Sequence, residues 1–253
     1  MLTSIRGLLA ATVLAGGLIA SPAFADDETD PPKDITISGY ATGVTDYRWR
    51  GLSYSGGDFA VQGQINVAHS SGIYAGVWGS SLEQDALDVY GSAELDVYAG
   101  WSGDVASGLT ADVGVTWYTY PNGTNPLIKG NYFEPYASLS TGLGPVTAKV
   151  GVNYAWKQDA LGGDDNFYVF GELGTSIPGV PVDLSAHLGY TSGALSPNRL
   201  TLTSTDGGFD YSVGATYNIT DHLSVGAQYV GVDGASIDGF SNDTVVGSVK
   251  LSF

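Results

Sequence analysis

The segment 88–101 alternates apolar and polar residues with a period of two, which constrains its conformation more than any other feature of the chain. Its apolar positions are Val89, Gly91, Ala93, Leu95, Val97, Ala99 and Trp101. This period predicts a β-strand with one apolar face. Similar segments recur along the chain up to Phe253, and no helical pattern after residue 25 supplies an apolar second layer. We therefore expect the apolar faces to meet lipid.

The N-terminal residues predict an export signal. Arg6 precedes an apolar stretch at 7–20, and Ala23-Phe24-Ala25 precedes an acidic segment. This pattern is typical of a signal peptide at 1–25, cleaved between Ala25 and Asp26. An N-terminal membrane anchor is the alternative, but it needs about 20 apolar residues. Residues 26–33 are polar and contain two prolines, so we expect a short disordered lead before a single domain at 34–253.

The charge balance and the rare residue types exclude several classes of function. The chain has 26 acidic and 9 basic residues, for a net charge of −17, which argues against nucleic acid as a partner. It has no cysteine, which is compatible with an exported protein. His69, His187 and His222 fall on different strands or turns, with no cue for a nucleophile. We expect no enzyme, no metal and no cofactor.

Twelve strands are predicted, and their connections alternate between short turns and long polar loops. Short turns on one rim, long loops on the other and an even strand number are typical of an outer-membrane β-barrel. A soluble sandwich gives no reason for this alternation. The first strand must pair with the last, because hydrocarbon offers no partner for an open sheet edge. The predicted strands are 34–47, 59–69, 73–80, 88–101, 109–118, 131–141, 146–157, 167–177, 182–190, 209–218, 223–231 and 244–253.

The outward positions of these strands carry no charge, and they become aromatic at both rims. Such aromatic residues are expected to form two girdles at the membrane interfaces. The girdle residues are Trp117, Trp156, Tyr190 and Tyr229 at the long-loop rim, and Trp101 and Phe253 at the short-turn rim.

The inward positions predict a polar lumen. Acidic residues outnumber basic ones there, which favours cations, although any wet lumen tolerates charge. Inward glycines are expected to leave room for water or for inserted loops. The predicted pore-lining residues are Asp88, Glu94, Asp96, Asp112, Glu134, Lys149, Glu172, Asp183, His187, Asp210 and Lys250.

Hairpin register places some of these residues together. Glu172 is expected opposite His187, and Asp96 diagonal to Asp112, where two carboxylates would bind a cation or share a proton. For both, structural lumen polarity is the competing interpretation. The loop 191–208 is long enough to fold inward as a constriction. Arg199 is the residue most able to change the charge of that constriction.

Several stretches carry a resemblance to a known family. They are Gly43 to Ser53, Ala60 to Gly63, Ser71 to Ser80, Glu94 to Gly100 and Tyr132 to Tyr136. In these the chain resembles the TorF-like family of proteobacterial outer-membrane porins. The resemblance implies an outer-membrane barrel and supplies no substrate.

This pattern concentrates on a first-loop motif formed by Asp46, Tyr47, Arg48, Trp49, Arg50 and Gly51. Three interpretations of the arginines stay open. They stand near the outer rim and bridge lipopolysaccharide phosphates, they pack the loop against an acid such as Asp46 or Asp58, or the loop folds into the pore.

The leading hypothesis is a passive channel in the outer membrane of a Gram-negative bacterium, for small hydrophilic solutes or cations. The alternatives are a plugged structural barrel that binds a partner through its loops and, more distantly, an outer-membrane hydrolase. Outer-membrane lipid, lipopolysaccharide and the barrel assembly machinery are the expected partners. The assembly machinery is expected because Val249, Leu251 and the terminal Phe253 resemble the C-terminal signature that it reads on outer-membrane proteins. The oligomeric state stays open.

Overall fold

The computed structural model describes residues 34–84, 87–203 and 207–253. The predicted signal peptide at 1–25, its cleavage site between Ala25 and Asp26, and the lead at 26–33 lie outside the described residues. They remain predictions.

The chain forms a closed antiparallel barrel of twelve strands, as predicted. Each barrel strand pairs with the barrel strands that precede and follow it in sequence. The first barrel strand closes on the last, from Tyr40 opposite Ser252 to Val44 opposite Ser248. Two short strands, β2 and β3, form a separate hairpin within the first loop. The strands are β1 (Ile35–Val44), β2 (Arg48–Trp49), β3 (Leu52–Ser53), β4 (Ala60–His69), β5 (Ile73–Ser81), β6 (Ala93–Ala106), β7 (Leu109–Thr119), β8 (Tyr132–Leu143), β9 (Val146–Ala155), β10 (Asn166–Ser176), β11 (Val182–Gly193), β12 (Gly207–Asn218), β13 (Leu223–Val232) and β14 (Thr244–Ser252).

Helical structure in the described residues is limited to two short loop elements. They are the helix α1 (Pro197–Leu200) and a 3-10 turn at Asp159–Leu161. Neither has the length and apolar character that a membrane-crossing helix needs.

The strand predicted at 88–101 lies five residues further along the chain in the structure, at Ala93–Ala106. Asp88 and Gly91 have φ angles of 54° and 64°, in the left-handed region, so they cannot belong to an extended strand. Asp88 lies in the loop before β6 and accepts hydrogen bonds from Thr124. It is therefore not a pore-lining residue. The prediction was wrong because the period-two alternation of the sequence continues through a turn.

The same shift overturns the predicted proximity of Asp96 and Asp112. The strand β6 continues to Ala106, so the turn to β7 contains only two residues. In the resulting register Asp96 faces Tyr118, and Asp112 faces Ser102. The two carboxylates lie in different rows of the sheet.

The outer face of the barrel is an apolar belt with aromatic side chains near its rims. Val113, Val115 and Trp117 alternate along β7 as exposed residues, while Asp112 and Thr116, at positions of the opposite parity, are buried. At the long-loop rim the rings of Trp117, Phe133 and Trp156 stack in series, and Tyr190 packs on Phe209, as Tyr229 does on Tyr211. At the other rim Trp101 donates to the Ser71 carbonyl, and Phe253 is exposed.

Aromatic rings fill the space beside several inward glycines, which were expected to leave room in the lumen. At five glycines a ring from the neighbouring strand occupies the position that a Cβ would take, whereas Ser185 and Gln228 flank that position at Gly214, and Ser248 flanks it at Gly226. The pairs are Tyr98 over Gly76, Tyr74 over Gly100, Tyr136 over Gly114, Phe170 over Gly151 and Tyr168 over Gly189. The expectation of empty space was wrong here because it ignored side chains on adjacent strands.

Replacing Gly114 by alanine is expected to lower the free energy of unfolding by about 1–3 kcal/mol, because the new methyl group overpacks the lumen wall. The added Cβ would meet the Tyr136 hydroxyl and the Ala99 carbonyl. Gly142→Ala is the matched control, since that glycine also lies in a strand and has nothing within 4 Å of its Cβ position. Urea unfolding of both variants checks this. Equal stability of the two variants would contradict the packing argument.

Candidate functional site in the barrel lumen

The first long loop, residues 45–59, folds into the barrel, and we call it the inserted loop. Its short hairpin pairs Arg48 with Ser53 and Trp49 with Leu52. The turn residues Arg50 and Gly51 have φ angles of 48° and 80°, as in the two-residue turns that connect tight hairpins. A Cβ on Gly51 would lie 2.9 Å from both the Gly231 carbonyl oxygen and Val232 Cβ. The tip of the hairpin is therefore packed against β13.

Arg50, at this tip, forms a buried ion pair across the lumen. Its Nη2 donates to Glu134 Oε2 at 2.7 Å, and the two side chains are 5% and 0% exposed. Its guanidinium carbon also lies 4.2 Å from the ring centroid of Trp49 and 4.0 Å from that of Tyr168. Breaking a pair that is buried to this degree leaves an uncompensated charge. The inserted loop is thus anchored to β8 and β10.

Arg48 holds the base of the hairpin. Its Nε donates to Asp46 Oδ2 at 2.5 Å, and its Nη1 donates to the carbonyls of Gly51, Phe240 and Asn242. The last two acceptors belong to the loop between β13 and β14. The arginine therefore ties the inserted loop to itself and to a second outer loop.

These contacts decide between the three interpretations of the first-loop motif. Arg48 packs the loop against Asp46, and Arg50 lies within the pore. Both guanidiniums are buried, so neither reaches lipopolysaccharide at the outer rim. That interpretation was wrong because the charges of the loop find partners inside the barrel.

The inserted loop also covers three predicted pore-lining acids. Glu94, Asp96 and Glu134 are buried, and Tyr47 donates to Glu94 Oε2 at 2.9 Å. Tyr120 donates to the other oxygen of Glu94 at 3.4 Å. Glu94 and Glu134 therefore anchor the loop instead of facing an open lumen.

A cavity of about 190 Å³ remains beside the inserted loop. One wall of it carries a row of alternating charges. Lys149 Nζ lies 4.0 Å from Glu172 Oε2, Glu172 Oε1 lies 3.4 Å from His187 Nδ1, and His187 Nε2 lies 2.9 Å from Asp210 Oδ1. Glu172 faces His187 across the β10–β11 pair, as predicted. We call this set the charge row.

The charged residues that line the cavity do not have the acidic excess on which the cation preference rested. The acids are Asp46, Glu172 and Asp210, and the bases are Arg48, Arg50, Lys149 and Lys250, together with His187. Lys250 Nζ lies 4.2 Å from the centroid of the Tyr40 ring. Within residues 34–84, 87–203 and 207–253, no carboxylate pairs with Lys250.

The remaining predicted pore residues face inward but lie outside the cavity. Asp112 accepts a hydrogen bond from Tyr74 at 2.5 Å, and Asp183 accepts bonds from Ser176 and Asn218 at 2.5 and 2.7 Å. Arg199 does not enter the lumen. It pairs with Asp164 at 2.7 Å on the exposed surface, where its hydrogen bond lowers the pKa of Asp164. Arg199 therefore stays outside the lumen, whereas Arg50 of the inserted loop lies within it.

No group of three or more His, Asp or Glu side chains that could hold a metal ion occurs in the part of the chain that the structure describes. The polar side chains in the cavity are instead single hydroxyls, amides and ion pairs.

Comparison with known proteins adds a family and a fold. A bacterial family of unknown function, Gcw_chp, matches residues 27–252. The chain belongs to the Gcw_chp family. The comparison with curated proteins gave no match. This family member is similar in structure to the NanC porin, with a TM-score of 0.58 and 12% identity over 86% of this chain and 99% of that one. It is also similar to the KdgM porin in complex with disordered oligogalacturonate, with a TM-score of 0.56 and 9% identity over 86% and 98% of the two chains. At these identities the likeness concerns the fold.

Proposed function

We propose that this chain is an outer-membrane channel for small hydrophilic solutes, with a width set by the inserted loop. The observation that carries the proposal is the cavity beside that loop, whose lining includes charged side chains, in a barrel whose outer face is apolar. A barrel of eight strands is filled by its own side chains, and one of sixteen encloses a wide channel. Twelve strands with one inserted loop leave a narrow path.

The outer face supports a place in the outer membrane of a Gram-negative bacterium. Its exposed apolar side chains, with aromatic rings at both rims, suit a bilayer and its two interfaces. The proposal includes outer-membrane lipid and lipopolysaccharide as surroundings and the barrel assembly machinery as the insertion partner. We also propose that the chain is a member of the TorF-like porins, which its sequence resembles.

The side chains that line the cavity support passage of solute without catalysis. Its histidine is held between Glu172 and Asp210, and among the described residues the hydrogen bonds of His187 include none to a serine or threonine hydroxyl that it would activate as a nucleophile. A hydrolase would need such a nucleophile beside the base. We therefore propose a channel and no enzymatic activity.

Planar bilayers containing the purified, refolded protein test the channel. Discrete conductance steps are expected, small relative to those of a wide sixteen-stranded porin, because the inserted loop occupies part of the lumen. A protein-free refolding mixture is the control. If no steps appear at any voltage, the protein is not a channel.

The second candidate is a plugged barrel that acts through its outer loops. It is favoured by the inserted loop itself, whose Tyr47, Trp49 and Leu52 are almost fully buried in the lumen. A plugged barrel gives no conductance in the intact protein but conducts once the loop is removed. The same bilayer measurement therefore separates the two functions.

A further inference from the structure

The charges in the cavity balance one another, with one exception. Arg48 is paired with Asp46, and Arg50 is paired with Glu134. In the charge row each carboxylate lies between two basic groups or beside one. Lys250 is left over, since no carboxylate of the described residues pairs with its ammonium. The cavity thus has one positive charge without a counter-ion in the part of the chain that the structure describes.

The position of Lys250 directs this charge at the cavity. Lys250 lies on β14, in register with Thr42 on β1 and Ser224 on β13. Its ammonium sits over the Tyr40 ring, whose face attracts a cation only weakly compared with an anion in direct contact. Thr42, Gln62 and Ser248 line the same cavity and offer hydroxyl and amide groups beside the ammonium.

We propose that Lys250 is a binding site for the anionic group of a small, hydroxyl-bearing monoanion that enters this cavity. The inference rests on the proposed function for its biological meaning, because it names the class of solute that the channel prefers. One unmatched ammonium favours one negative charge, and neighbouring hydroxyls and amides favour a solute with hydroxyl groups. The volume of about 190 Å³ is below the roughly 300–1,000 Å³ of sites for drug-sized ligands, so the solute is small.

The ion selectivity of the channel tests the proposal. In a KCl gradient across a planar bilayer, the reversal potential of the unaltered protein is expected to show a preference for chloride over potassium. Lys250→Met removes the preference, and Lys250→Glu reverses it. One unit charge a few ångströms from a permeating ion changes the occupancy of the ion roughly fivefold even in water. A shift of that order in the permeability ratio is expected for Lys250→Met.

Lys129→Met is the matched control, because it removes the same charge from an exposed outer loop. It is expected to leave the reversal potential unchanged. Since the chain has no cysteine, Lys250→Cys can be modified at that position alone. Aminoethyl methanethiosulfonate, which restores an ammonium, should return the chloride preference. The sulfonate reagent, which introduces a negative charge, should reverse the preference, as Lys250→Glu does.

A binding measurement keeps the inference separate from channel function. Trp78 lines the cavity and donates to the Tyr40 hydroxyl at 3.1 Å, so potassium gluconate added to the protein in detergent should change the tryptophan fluorescence. Lys250→Met should lose the change, and Lys129→Met should keep it. Gluconate binding without conductance would support the anion site and overturn the channel. Conductance with no gluconate effect and no change in selectivity in Lys250→Met would overturn the anion site alone.

Discussion

Glu134→Gln is expected to lower the free energy of unfolding by about 3 kcal/mol or more, while Asp164→Asn leaves it unchanged. Both substitutions remove one negative charge with little change of shape, and both break an arginine–carboxylate pair of 2.7 Å. The pairs differ in burial, with side-chain exposures of 5% and 0% for Arg50 and Glu134 against 41% and 45% for Arg199 and Asp164. A buried guanidinium without its partner is costly, whereas exposed pairs contribute little.

Urea unfolding of the two variants, followed by tryptophan fluorescence, measures this difference. Arg50→Met combined with Glu134→Gln should recover part of the loss, because the uncompensated charge is then removed as well. Equal stability losses in Glu134→Gln and Asp164→Asn would show that burial of the Arg50 pair has no energetic consequence.

Removing the inserted loop is expected to raise single-channel conductance severalfold. A variant in which a short glycine-serine turn replaces residues 46–58 joins β1 directly to β4. The buried side chains of Tyr47, Trp49 and Leu52 then leave the lumen, and water takes their place. The rings stacked over glycines on β5 to β8 stay, so the opening is confined to the side of the lumen that the loop occupied.

A deletion of residues 122–128 is the control for the effect of loop shortening. That segment belongs to the outer loop between β7 and β8, and its contacts are to the neighbouring loop at Asp88. The deletion variant should have unchanged conductance. Its far-ultraviolet circular dichroism spectrum checks that the barrel is folded. If both deletions change conductance equally, the inserted loop is not the constriction.

The barrel wall was predictable from the sequence because its rules are local. Uncharged outward residues such as Val113 and Val115 alternate with inward Asp112 and Thr116, and short turns alternate with long loops. Each signal is weak in one strand, but twelve strands must agree with one another to close a sheet. The exception was Asp88, where alternation continued through a turn that needs left-handed backbone angles.

The interior was not predictable in the same way, because its contacts join residues far apart in sequence. Arg50 and Glu134 are separated by 84 residues, and nothing local marks them as partners. Acids counted as facing water, such as Glu94 and Glu134, turned out to anchor the inserted loop. The best available signal was the first-loop motif at 46–51, for which inward folding was one of three interpretations of its arginines.

The inserted loop has a consequence for the order of assembly. Arg50 contacts Glu134 on β8 and Tyr168 on β10, and Arg48 contacts the loop that precedes β14. The loop is made early by the ribosome, since it follows the first strand, yet its partners belong to strands that follow much later. Because these partners belong to three separate parts of the chain, the loop can complete its contacts only after β8, β10 and the segment before β14 are in place. A segment that follows the first strand thus depends on segments that come later, one of them near the end of the chain.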